Sequence, residues 1–184
     1  MTSVRGFNTG VQPTETALIV AVPEAERLVA PLRARLDTSA SWGVPAHISV
    51  TYPFLPPERI DEEVLAAVRQ TVAAVPRFTL RLTGTSWFGE QVLWLAPDPA
   101  GPFRQLTARL WARFPEAPPY GGEIADVVPH LTVGHDHPRG TLQAAAAEIQ
   151  PHLPIRAEVS AVWLIAGRPE PGDSWYAVAE FPLG

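Results

Sequence analysis

His47-Ile48-Ser49-Val50 recurs as His130-Leu131-Thr132-Val133, so the chain carries one short pattern twice. Each copy reads histidine, apolar, hydroxyl, apolar. Alternation of this kind marks a half-buried β-strand, in which residues i and i+2 share a face. His47 and Ser49 therefore face one way and Ile48 and Val50 the other. His130 and Thr132 are set in the same manner against Leu131 and Val133. If the fold brings the two strands face to face, two imidazoles and two hydroxyls share one site.

Outward from these strands, the order of elements repeats as well. Thr16 to Val22 reads as a buried strand ended by Pro23, and Glu24 to Leu36 as a helix with Leu28, Val29, Leu32 and Leu36 at helical spacing. A loop through Trp42-Gly43-Val44-Pro45 leads to the first histidine strand, 46–52, which Pro53 and Pro56-Pro57 stop. Glu58 to Val75 reads as an amphipathic helix, and Phe78 to Thr83 alternates as a strand. The order then restarts. It runs through strand Gln91 to Ala96, helix Phe103 to Phe114, a Pro/Gly loop from Pro115 to Gly122, and the second histidine strand at 129–133. Helix Thr141 to Leu153 and strand Ile155 to Ala166 follow, and Trp175 to Phe181 forms a last strand without a counterpart in the first half. The expectation is a loose lead-in over 1–14 and a single bilobal α+β domain over 15–184, with internal repeats at about 16–84 and 91–166. Within each lobe, the apolar residues of the histidine strand should pack on the lobe's helices.

Composition narrows the function. A hydrophobic fraction of 46% and a charged fraction of 18% are those of a globular chain. A net charge of −5, from 14 basic and 19 acidic residues, argues against an extended nucleic-acid-binding surface, which needs a basic face. A short nucleotide gripped locally remains compatible with it. Every basic residue is Arg, which with abundant Ala, Pro and Gly suggests a high-GC bacterial source. The absence of Cys excludes disulfides and thiolate metal sites. The apolar run Ala17 to Pro23 is too short to span a membrane, and no basic, cleavable leader precedes it. A soluble, cytoplasmic, monomeric protein is the expectation.

The paired motifs, with Tyr52-Pro53-Phe54 after the first, resemble the two-histidine (2H) phosphoesterase superfamily. The group they most resemble is the bacterial RNA 2′,3′-cyclic phosphodiesterases, long called 2′-5′ RNA ligases. The resemblance runs from about 16 to 181. It implies a duplicated bilobal fold, two antiparallel sheets with outer helices around a central cleft. It also implies a metal-independent phosphodiesterase, without cofactor, that opens 2′,3′-cyclic phosphates of RNA ends or small nucleotides to 2′-phosphomonoesters. The reverse reaction would be a 2′-5′ RNA ligase activity. His47 and His130 would be catalytic, His47 as acid and His130 as base, and Ser49 and Thr132 would bind phosphate. Ser49 stands where the family usually has Thr; the hydroxyl survives and only the stiffening methyl is lost. The chemistry suits the residues. An imidazole with a pKa of about 6.5 can take or give a proton near neutrality, and two can do both.

Other readings attach to other residues. A catalytically idle nucleotide-binding module of the same fold would keep the cleft without turnover. His135-Asp136-His137 suggests a metal hydrolase, but no third ligand accompanies the pair, and a loop and helix entry capped by Asp136 or His137 accounts for it. His152 suits a helix C-terminus. Thr51 shares the face of His47 and Ser49, whereas Tyr52 alternates to the packing side. Trp42, Phe54, Trp87, Phe88 and Tyr120 lie in loops near the expected cleft, where packing is the simpler role than stacking on a base. Arg168 could reach a phosphate, but a solvated loop charge is the simpler reading.

Overall fold

A computed structural model describes residues 12–123, 127–172 and 174–184, so residues 1–11 of the expected lead-in lie outside the described residues. The chain order is β1 (Glu15–Ala21), α1 (Pro23–Leu36), α2 (Thr38–Ser41), β2 (His47–Thr51), α3 (Glu62–Ala73), β3 (Phe78–Phe88) and β4 (Val92–Asp98). It continues with α4 (Gly101–Arg113), β5 (Leu131–His135), α5 (Arg139–Ile149), β6 (Ile155–Val159), β7 (Ala161–Gly167) and β8 (Tyr176–Pro182). The strands form two four-stranded antiparallel sheets, in the orders β2-β1-β7-β8 and β5-β4-β3-β6. The fold class is the expected one: α+β, with two antiparallel sheets and outer helices.

Each histidine motif lies on the edge strand of its sheet, next to the strand that opens its half of the chain. The helices cross over. α1 follows a strand of the first sheet but packs on β5 and β6 of the second, and α4 follows a strand of the second but packs on β2 of the first. α3 lies on β8, and α5 lies on β4. One apolar core therefore runs through both sheets, from Leu18, Ile48 and Val68 to Leu80, Leu106, Leu131 and Leu142. Burying a side chain of this kind stabilises by about 1.5–3 kcal/mol. The opposite face of the first sheet carries a second, smaller cluster of Ala17, Ile19, Val44, Ile165 and Trp175. Alternation along β1 and β2 assigns the faces: Leu18, Ile48 and Val50 go to the core, and Ile19, paired with Ser49, goes to the other side with His47.

Local chemistry sets most boundaries. Pro23 opens α1 with Glu24 and Glu26 in its first turn, and Asp61 caps α3 by accepting from the Val64 N–H at 2.8 Å. The 58–61 segment is accordingly outside the helix, as a 3₁₀ turn over Pro57–Arg59 and the cap itself. At α5, neither Asp136 nor His137 caps the helix; Pro138 holds the cap position with no side-chain bond. The expected strand Ile155 to Ala166 is two strands. Residues up to Val159 pair with β3, and from Ala161 the chain pairs with β1 and β8 in the other sheet. β3 runs on to Phe88 through a bulge between Leu82 and Thr85.

Candidate active site

β2 and β5 lie against each other, and their motif residues line one cleft with two chambers. His47 and Ser49 line a chamber of about 260 Å³ walled by Ile19, Trp42, Tyr52 and Trp175. His130 lines one of about 690 Å³ walled by Phe88, Val92, Tyr120 and Val128. Thr132 and His135 line both, so the chambers meet there.

The two imidazoles are held by the same local device. His47 Nδ1 is 2.7 Å from the Pro45 carbonyl oxygen, and His130 Nδ1 is 2.7 Å from that of Val128. A carbonyl can only accept, so in each ring the Nδ1–H donates and the neutral ring keeps its lone pair at Nε2. The bond also fixes ring orientation, as the outer partner of a working histidine does.

Their surroundings differ. Near His47 stands a buried ion pair, Arg33 to Asp37, with Nε–Oδ2 at 3.0 Å and an Nη2–Oδ2 separation of 2.9 Å. The Ser39 hydroxyl accepts from Arg33 at 3.2 Å and contacts both Asp37 oxygens at 2.9 Å, and the Ser39 N–H donates to Asp37 Oδ1 at 3.1 Å. Asp37 and Ser39 share the chamber wall with His47. Burial first, and then the Arg33 charge, press the pKa of His47 down to about 4 against the opposing pull of the Pro45 bond and Asp37. His130 is instead boxed by aromatics. Phe88 meets it edge-on at 4.8 Å and 88°, Trp94 lies at 5.9 Å, and Trp94 stacks on Phe88 at 4.8 Å. Burial lowers the pKa of His130, and the Val128 bond opposes the shift. A charge on His130 adds in the smallest measure to the lowering at His47.

Four of the expected site residues, His47, Ser49, His130 and Thr132, thus come together on the walls of one cleft. Ser49 has a neighbour the sequence did not announce: its hydroxyl interacts with that of Tyr120 and draws the phenol pKa down. Tyr120 sits in the turn Pro119–Gly122 with φ at 52°, and its N–H donates to the Tyr52 carbonyl at 2.7 Å, which draws the Pro/Gly loop back over the end of β2. Burial raises the Tyr120 pKa. Tyr52 is not on the packing side. β2 ends at Thr51, so alternation does not carry through; Phe54 takes the core position against Phe114, while Tyr52 faces the His47 chamber. Its hydroxyl donates to Glu15 Oε2 at 2.8 Å, and its ring meets Trp175 at 6.3 Å.

Thr51 is buried and lines neither chamber, and the same is true of Phe54. Trp87 and Arg168 also lie outside both linings, and His152 is exposed in a 3₁₀ turn after α5. His135 is the last residue of β5 and faces the cleft, whereas His137 does not line it. Among the described residues, no three His, Asp or Glu side chains converge in a group able to hold a metal ion. Nor is any described helix long and apolar enough to cross a membrane. Arg33 and Asp37 were missed because an Arg in the last turn of a helix reads as a solvated charge suited to the helix dipole. Only the packing of α1 across onto the second sheet buries it.

A family model described as the 2′-5′ RNA ligase superfamily matches residues 21–169. The fold is similar to that of Escherichia coli LigT complexed with 3′-AMP, at 18% identity over 94% of this chain and 99% of that one, with a TM-score of 0.60. The complex of the same protein with NADP+ gives 20% identity, 94% and 98% coverage and a TM-score of 0.56. The protein TT0787 of Thermus thermophilus is similar at 18% identity, 91% and 97% coverage and a TM-score of 0.63. At such identities these structures show a shared fold. No curated protein matches the chain in sequence.

Proposed function

The chain belongs to the 2′-5′ RNA ligase superfamily, the 2H phosphoesterases, and from that premise we propose that it opens 2′,3′-cyclic phosphates to 2′-phosphomonoesters without a metal. The observation that carries the proposal is the pair of imidazoles, each with Nδ1 tied back and its lone pair at Nε2, beside Ser49 and Thr132 on one cleft. Hydrolysis needs four things: a base for the attacking water, an acid for the leaving ribose oxygen, donors for the non-bridging oxygens, and a seat for the nucleoside.

In the proposed reaction one neutral imidazole takes a proton from water as the new P–O bond forms. The P–O3′ bond breaks, and the other histidine, protonated, gives its proton to the departing O3′. Ser49 and Thr132 hydroxyls donate to the non-bridging oxygens as charge gathers there. When the 5′-hydroxyl of a second ribose end replaces water as the attacking group, the same transfers join the two ends by a 2′-5′ link. The resemblance implied His47 as the acid, but the surroundings support the reverse assignment. The Arg33 cation and deep burial disfavour an imidazolium at His47, which suits a base, and His130 has no such cation among the causes of its shift. The apolar chamber walls suit a nucleobase or ribose face. E. coli LigT, crystallised with 3′-AMP and with NADP+, takes small nucleotides on this fold. With the net charge of −5, that supports short RNA ends or small nucleotides as substrates.

The test is hydrolysis, in EDTA, of a short oligoribonucleotide ending in a 2′,3′-cyclic phosphate. Wild type should yield a 2′-phosphate, and His47→Ala and His130→Ala should each abolish it. Unchanged hydrolysis in both variants would overturn the proposal. Tight nucleotide binding without turnover by wild type would leave a nucleotide-binding module.

A further inference from the structure

We propose that His135 is a third phosphate-contacting imidazole, placed where the two chambers of the cleft meet; this rests on the phosphoesterase reading of the same site. Simple alternation along β5 would turn Gly134, not His135, to the cleft beside His130 and Thr132. A bulge changes the parity. Trp94 pairs with Thr132 and Leu93 with Gly134, so Val133 is an extra residue on β5. Leu131, Val133 and Gly134 then all turn to the helix side. A Cβ on Gly134 would lie 2.7 Å from Leu142 Cδ2 and 3.0 Å from Leu36 Cβ, so any larger residue would press on α5 and α1 at that point. The chain returns to the cleft at His135, which lines both chambers, as Thr132 does. A bulge beside a site that re-aims one side chain is a recurring use of this irregularity.

The backbone holds His135 where it is. The residue pairs with Val92, and the next N–H, that of Asp136, donates to the Gln91 carbonyl at 3.0 Å. Asp136 has φ at 55°, which bends the chain away after the strand. The imidazole itself is 55% exposed, and its Nε2 is 3.4 Å from Asp136 Oδ2. It is therefore a ring on a fixed backbone, accessible to a ligand and shared by both chambers. Thr132 and His135 would approach one phosphoryl group from the same strand, and the imidazole N–H would donate to a non-bridging oxygen. No proton needs to be transferred by His135; its part is to hold the phosphate.

The test compares wild type, His135→Ala and His135→Arg, with inorganic phosphate binding by calorimetry as the first readout and cyclic-phosphate turnover as the second. A hydrogen bond to a charged group is worth roughly ten- to a hundredfold in binding, so His135→Ala should weaken phosphate by about tenfold or more. His135→Arg, a permanent cationic donor, should stay within about threefold of wild type. In turnover, His135→Ala should raise KM by more than it lowers kcat. The exposed position predicts unchanged thermal unfolding for both variants. Phosphate bound equally by wild type and His135→Ala, or not bound by wild type, overturns the inference. If wild type binds phosphate through His135 but hydrolyses no cyclic phosphate, the phosphodiesterase reading fails and the assignment of His135 stands.

Discussion

His47 and His130 are tied down alike, each with Nδ1 2.7 Å from the carbonyl two residues back, yet they stand in different matter. One faces a buried ion pair and a serine; the other is boxed by Phe88 and Trp94. Local sequence can repeat a strand and its hydrogen bond. It cannot repeat what distant elements bring up behind it. Here α1 delivers Arg33 and Asp37 to one histidine, and β3 and β4 deliver Phe88 and Trp94 to the other. Duplicated scaffolds with unlike surroundings are a way to give two chemically identical groups different protonation states, as acid–base catalysis requires.

The largest effects should come from the histidines themselves. Positioned acids and bases contribute about 10²–10⁴-fold, and His47→Ala and His130→Ala should each lose rate on that scale with a cyclic phosphate. The comparison sharpens with a p-nitrophenyl phosphodiester, whose leaving group needs no proton. His130→Ala should recover most of its deficit on that substrate, and His47→Ala should not. Recovery by His47→Ala instead would put the acid on β2. The pH dependence of kcat/KM adds a second constraint. The base must be unprotonated and the acid protonated, so the rate should rise with pH through about 4 and fall at a pH below the usual imidazole range. The shape alone does not say which ring is which, and the leaving-group experiment does.

Next in size is the ion pair. Removing one partner of a buried pair leaves the other charge uncompensated, at about 3–5 kcal/mol. Arg33→Met should therefore lower the unfolding midpoint clearly. It should also move the acidic limb upward, because a cation that disfavoured the His47 imidazolium is gone. Phe88→Ala should act on the other histidine. An edge contact between rings is worth about 0.5–1.5 kcal/mol, so a loss of a few-fold up to about tenfold in kcat is expected. The alkaline limb should move up as His130 gains water, and the acidic limb should stay. If each variant moved both limbs equally, the contrast between the charged and aromatic settings would have no functional meaning.

What could be read from the sequence follows this division between near and far. Both histidine strands, the helix faces and the α+β class rest on periodicities of a few residues, and those were legible; the two-sheet arrangement was implied only by the family resemblance. The break at Ser160 was not. Ala157, Val159 and Ala161 are buried at every second position, so alternation continues smoothly while the chain changes sheets. The cleft-facing turn of His135 was hidden for the opposite reason: a bulge on β5 shifts the parity, and Gly134 has no side chain to betray it. Tyr52 was assigned by extending an alternation one residue beyond the strand that enforces it. The Arg33 pair depends on α1 packing across to the second sheet, which no window on the sequence contains.

The smallest predicted effect concerns Tyr120, where the two histidine settings are joined. Tyr120 lines the His130 chamber, while its hydroxyl interacts with that of Ser49 beside His47. If Ser49 donates to phosphate oxygen in the transition state, Tyr120 is the group that orients it. Tyr120→Phe removes only that hydroxyl and keeps the ring. A single neutral hydrogen bond is worth about 0.5–1.5 kcal/mol, so kcat should fall by a few-fold to about tenfold. The same argument requires that the loss disappear in a Ser49→Ala background, because there is no longer a hydroxyl to orient. A double-mutant cycle in kcat reads this coupling directly. Equal losses from Tyr120→Phe in both backgrounds would mean that Tyr120 acts on the substrate or on His130, and that the two halves of the cleft are not coupled through Ser49.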